Sequence, residues 1–251
     1  MTISNLVELS ISLCLEAWLI VLLVRRDART HFPLFFAYAV TSAPITVARL
    51  LTANHYLPYF YVYWTTTALL LLLGLAAVHE VFRWVYEAFY EFTWFRLFYY
   101  GVIGVVLVIT SRNALVNPPV QAHPLVGLIL DLGIAINFLR AGIACLFYAL
   151  MRPLSITFRR YPHGVVLGFL VSSVGSLIGY LPVSIFGTKL HMVARFAPPV
   201  AYIIALAVWI SAFIVSENEQ TEWTPPMSPD EMLQEIRRYW KISGLRKDNE
   251  R

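Results

Sequence analysis

The stretch from Leu125 to Leu150, LVGLILDLGIAINFLRAGIACLFYAL, is long enough to cross a bilayer as a helix, yet it carries Asp131, Asn137 and Arg140. A spanning helix needs about 20 mostly apolar residues. A charge deep in hydrocarbon is costly, so residues of this kind face the interior of a helical bundle or a wet cavity. The stretch therefore implies a membrane protein whose helices pack around a polar interior.

The rest of the chain agrees with that reading. Of its 251 residues 59% are hydrophobic and only 14% charged, whereas soluble domains are about a quarter charged. Mean hydropathy is +0.66. Apolar runs place seven spans at about 5–24, 33–52, 58–82, 95–111, 124–150, 164–186 and 196–216, followed by a polar tail over 217–251. The expected fold is an all-α integral membrane protein, a bundle of seven transmembrane helices.

Orientation follows from Lys and Arg, which accumulate on the cytoplasmic side. The first span begins without a basic residue and is followed by Arg25, Arg26 and Arg29, the reverse of a secretory signal. With the N-terminus outside, fourteen Lys and Arg fall on inner segments and three, Arg112, Lys189 and Arg195, on outer ones. The C-terminus is then cytoplasmic. In the tail, Ser228, Pro229, Asp230 and Glu231 read as a helix start. Met232, Leu233, Ile236, Tyr239 and Trp240 give that helix, about 229–243, an apolar face opposed by Arg237, Arg238 and Lys241. It suits the inner membrane surface or a protein partner.

Arg49 and Arg140 are the two basic residues left within spans. With Glu8, Glu16, Asp131 and Asn137 they form the expected intramembrane polar core. At about 1.5 Å of rise per residue, Glu16 and Arg140 stand at similar heights above the inner surface, which predicts a Glu16–Arg140 ion pair. Glu8, Asp131 and Arg49 fall in the outer third as a second polar layer. Such groups either line a ligand path or only hold helices together.

Two further patterns concern packing. Gly164, Gly168, Ser172, Ser176 and Gly179 form a stripe of small residues in the sixth span, with Gly175 adjacent. Small residues at this spacing let helix backbones approach closely in lipid. Leu15-Glu16-Ala17 also resembles Leu139-Arg140-Ala141, each followed by a basic cluster and a proline-started span. Seven spans with such a repeat fit a three-plus-one-plus-three plan with parallel repeats. Thr65, Thr66 and Thr67 read as hydroxyls that bond back to their own helix.

Several chemistries find no support in the sequence. Cys14 and Cys145 both lie within spans, and no pair of histidines has the spacing of a helical metal site, so no metal is expected and no cofactor is identified. No phosphate-binding glycine loop or nucleophile elbow is present, which leaves an enzyme without a catalytic constellation. The last span has no lysine for a retinal, and Glu80 with Arg83 lacks the acidic-arginine-aromatic adjacency of G-protein-coupled receptors. The basic residues sit at span ends and in the tail, so nucleic acid is not an expected partner. The expected partners are the lipid bilayer and a protein at the tail helix. The leading functional expectation is a receptor-like, sensory or assembly protein acting through its cytoplasmic face. The alternative is a small-solute or proton- or ion-coupled transporter that uses the polar core.

Overall fold

The computed structural model describes residues 3–87, 93–116, 124–151, 159–186 and 191–215, together with Glu231 and Gln234. Those residues are helical almost throughout: α1 (Ile3–Arg25), α2 (Ala28–His31), α3 (Pro33–Thr52), α4 (Tyr56–Val85), α5 (Thr93–Val116), α6 (Pro124–Met151), α7 (Arg160–Phe186) and α8 (His191–Ile214). Five of them, α3, α4, α6, α7 and α8, are long and apolar enough to cross a membrane. Large apolar side chains remain exposed, among them Val24, Leu51, Leu97, Val108, Ile178 and Val200, as expected where the solvent is lipid. The chain is thus an all-helical, multi-pass membrane protein. Of the expected tail helix over about 229–243 only Glu231 and Gln234 are described, both helical, and the rest lies outside the described residues.

Element ends differ from expectation in one way that matters. The last apolar span begins at Arg195, next to the expected 196, but its helix α8 starts earlier, at His191, so that Pro198 and Pro199 lie inside it. Each proline removes a helix-internal N–H, so the helix is weakened just where it passes the cavity described below.

Six helices close into a ring in the order α1, α3, α4, α6, α7, α8 and back to α1, while α5 packs outside the ring against α6. Any ring of six helices in chain order maps onto itself when its halves are exchanged, so this order is compatible with the three-plus-one-plus-three plan without requiring it. The helices α3 and α7 also share a pattern of side-chain bonds. Ser42 donates to the carbonyl of Ala39 and Thr46 to that of Ser42 on α3; Ser172 donates to Phe169 and Ser176 to Ser172 on α7.

The most extensive contact in the ring joins α7 to α8. A Cβ at Gly164, Gly168 or Gly175 would overlap Ala212, Trp209 or Ala201 respectively, so these glycines allow the two backbones their close approach. Trp209 lies on α7 at Gly168 and donates its indole N–H to the Val165 carbonyl at 3.1 Å. Its ring meets Phe35, Tyr38 and Phe169 edge-on, and Phe35 stacks on Phe213. This layer of fully or nearly buried rings closes the bundle toward the α2 end.

Charged side chains at that end cap helices. Pro33 opens α3 without a side-chain cap of its own, and the Glu80 carboxylate accepts from the N–H groups of Leu34 (3.0 and 2.9 Å) and Phe35 (3.1 Å). A carboxylate there satisfies orphan donors and meets the positive end of the helix dipole. At the opposite pole of a helix, Arg26 donates to the carbonyls of Phe213 and Ile214, and Arg160 to that of Ser211. These three charges join α1, α3, α4, α7 and α8 into one rigid end.

The close approach at Gly168 is testable by stability. Gly168→Leu must displace the Trp209 indole, and overpacking of a full core costs about 1–3 kcal/mol. At about 2–4 °C per kcal/mol for a chain of this size, the midpoint of thermal unfolding in detergent is expected to fall by about 2–12 °C. Gly142→Leu, at a position where an added Cβ meets nothing within 4 Å, is expected to leave it within about 2 °C.

Candidate functional site

Inside the ring lies a cavity of about 510 Å³ walled by all six of its helices. It opens beside the exposed Arg195 and the half-buried Tyr59, near the turn between α3 and α4. It runs down to Tyr38, Arg140 and Ser172 above the aromatic layer. On α6 the lining residues Leu130, Gly133, Asn137 and Arg140 follow helical spacing. Volumes of about 300–1,000 Å³ are those of small-molecule sites.

Glu16 forms part of one wall. It is 2% exposed, and its carboxylate accepts a hydrogen bond from the Tyr202 hydroxyl at 2.7 Å and from Thr46 at 3.1 Å. Thr46 has a single proton and also faces the Ser42 carbonyl at 3.1 Å. The short Tyr202 bond is therefore the firmer of the two, and it ties α1 to α8.

Arg140 occupies the other wall, 5% exposed. Its guanidinium lies over the Phe169 ring at 4.7 Å and against Gly74, where a Cβ would come within 2.7 Å of a terminal nitrogen. Asn137 donates to the Gly133 carbonyl at 2.8 Å, which turns its Oδ1 toward Arg140 and provides one acceptor at 3.3 Å. Nε has no acceptor. Burying an ion costs several kcal/mol. The long hydrogen bond to Asn137, the nearby Tyr38 hydroxyl and a cation–π contact of about 1–2 kcal/mol are all neutral partners and return only part of it.

The expected Glu16–Arg140 ion pair is therefore absent. Height along the helices does not decide contact; direction does. Glu16 projects toward α3 and α8, while Arg140 projects toward α4 and α7, with the buried Tyr38 near enough to interact with both charges. The second expected layer also resolves differently. Arg49 finds no carboxylate among the described residues; it donates to Thr66 (3.0 and 2.8 Å), Thr67 (2.9 Å) and the Tyr63 carbonyl, with the Tyr63 ring 4.7 Å away. Thr66 and Thr67 do bond back to their own helix, and their oxygens also accept from Arg49. The three-residue turn between α3 and α4 sets these partners opposite one another. Asp131 is half-buried and one step off the lining stripe of α6. The side chain of Glu8 lies outside the described residues.

The small-residue stripe of α7 serves two neighbours. Gly164, Gly168 and Gly175 meet α8, whereas Ser172 and Ser176 line the cavity. Gly179 is buried. His79 bonds to Tyr99 and Tyr100 of α5, and the His163 ring packs on Tyr148. Among the described residues no three His, Cys, Asp or Glu gather as a metal site would need.

Sequence reasoning missed Tyr38, Thr46, Gly74, Phe169 and Tyr202. The shared i, i+4 hydroxyl spacing of Ser42/Thr46 and Ser172/Ser176 was a usable signal for Thr46. An aromatic or a glycine in an apolar span carries no such mark. The chain matches no family model, and no curated protein or solved structure is significantly similar to it.

Tyr202→Phe deletes the main donor to Glu16 and is expected to cost about 1–3 kcal/mol. In a double-mutant cycle with Glu16→Ala, read by thermal unfolding, the two changes should be non-additive by at least about 0.5 kcal/mol. Strict additivity would mean that this bond holds nothing.

Proposed function

We propose that the chain is a receptor-like membrane protein that takes a small polar solute into the cavity from one side and answers through the opposite face. The observation that carries this reading is a cavity open at one end, polar at its base and backed by an interlocked aromatic layer. A rigid base suits sensing, because a bound solute can press on Tyr38 and Phe169 and so on the packing of α3, α7 and α8. In this reading α1 and α5, of 23 and 24 residues, are further spans beside the five apolar ones. The Lys and Arg distribution, fourteen against three, supports an outward cavity with α2 and the tail in the cytoplasm. The amphipathic pattern at about 229–243 suits an inner-face partner.

A transporter is the second reading, favoured by the matching hydroxyl bonds of α3 and α7 at corresponding places in the ring. Parallel repeats related by an axis along the membrane normal are built to rock around a shared site. Solute binding is common to both readings and net movement is not.

Full-length protein reconstituted in liposomes separates them. Binding of a solute that Ser176→Trp weakens at least tenfold, with no uptake above protein-free vesicles, is the receptor outcome; uptake that both Ser176→Trp and Glu16→Gln abolish is the transporter outcome. A chain ending at Met227 should keep solute binding and lose cross-linking to inner-face proteins. Retained cross-linking would remove the tail from the response.

A further inference from the structure

We infer that Arg140 anchors the carboxylate of a small organic acid, and that this acid is the class of solute the cavity accepts. The inference rests on the solute-binding reading above and adds the chemistry of the ligand.

Arg140 is a buried cation whose counter-charge is missing among the described residues. Every other group in the cavity that could have supplied it is engaged or distant. Glu16 is the only acidic residue in the lining among the described residues, and it is held by Tyr202 and Thr46 on the facing wall. Asp131 is on the same helix nine residues away, on the opposite face. Asn137 contributes a neutral oxygen at 3.3 Å, and Phe169 contributes only its ring face. Arg49 also lines the cavity, so among the described residues Glu16 is matched in charge by Arg49 and Arg140 is left without a carboxylate. The lining thus carries an excess of positive charge that a bound anion would balance.

The guanidinium is also presented as a docking group is. Gly74 lacks the side chain that would push it aside, and Asn137, fixed by its own bond to Gly133, holds one edge of the fork. A fork of N–H donors matches a planar carboxylate better than a spherical ion. Around the anchor, the lining supplies Tyr38, Tyr180, Tyr202 and Trp64 with Ser172 and Ser176, suited to a compact aryl or alkyl body. Glu16 on the facing wall disfavours a second anionic group, which selects monocarboxylates over dicarboxylates.

The test uses the full chain in nanodiscs of zwitterionic lipid, with tryptophan fluorescence as the unfolding signal and four probes: benzoate, benzamide, methylammonium and chloride. Benzoate at about ten times its Kd is expected to raise the unfolding midpoint by about 3–5 °C, with no effect from the other three. Arg140→Gln should abolish the benzoate shift without lowering the midpoint of the unliganded protein, because it removes an unpaired desolvated charge. A purely structural arginine gives the reverse: Arg140→Gln lowers that midpoint and benzoate does nothing to the wild type. Should Arg140→Gln fail to fold, Ser176→Trp must abolish the benzoate shift; a shift that survives the filled cavity overturns the inference. An Arg140-dependent response to chloride in place of benzoate overturns the carboxylate assignment. Stabilisation by benzamide or methylammonium that survives Arg140→Gln leaves solute binding standing and rejects the anchor. If no probe acts and native mass spectrometry finds no small molecule on the purified chain, both the anchor and the solute-binding reading fall.

Discussion

The contact of the Trp209 indole with the backbone of α7 at Gly168 is the constraint on which the rest of the structure depends. A flat ring on bare backbone brings α7 and α8 together and leaves the indole facing inward, where it fixes Phe35, Tyr38 and Phe169 in edge-on contacts. Such contacts are worth about 0.5–1.5 kcal/mol each beyond the area they bury, and several share one set of rings. Phe169 then becomes the platform for the Arg140 guanidinium. Packing at one end of the bundle thereby sets the base of the cavity and the height of its buried charge.

Above that base the charged side chains avoid one another. Glu16 has hydroxyl partners, Arg49 has hydroxyl and carbonyl partners, and Arg140 has an amide and an aromatic face. A direct Glu16–Arg140 bridge would neutralise both groups and draw α1 against α6 across the ring. Hydroxyl partners on neighbouring helices instead keep the two charges on opposite walls. The separation preserves a polar space that a second molecule can occupy.

Charges at the α2 end do other work. Glu80 completes the first turn of α3, and Arg26 and Arg160 complete the last turn of α8. Backbone groups at helix ends have no partner within their own helix, and near lipid, water is a poor substitute. The basic residues that report topology in the sequence are thus also helix caps, and they stiffen the end away from the cavity mouth. A bundle rigid at one end and open at the other transmits a change in the cavity to that closed face as a shift of packed helices, in keeping with either functional reading.

Hydropathy and length by themselves determined that this is a helical membrane protein, because a run such as Leu125–Leu150 has no other stable solution in water or lipid. They also singled out Glu16, Arg49, Asn137 and Arg140, since a polar group in an apolar span must turn inward, and all four line the cavity. Glycine spacing marked a close helix contact, though it merged Ser172 and Ser176 with the packing face they adjoin. What only the tertiary structure decided is which inward groups meet. Height along a helix can be counted from residue numbers, but the rotation of each helix about its axis is set by packing, here by the Gly168–Trp209 contact and its neighbours. That rotation sends Glu16 to Tyr202, Arg49 to Thr66 and Thr67, and Arg140 to Phe169, and it leaves a cavity where an ion pair was expected.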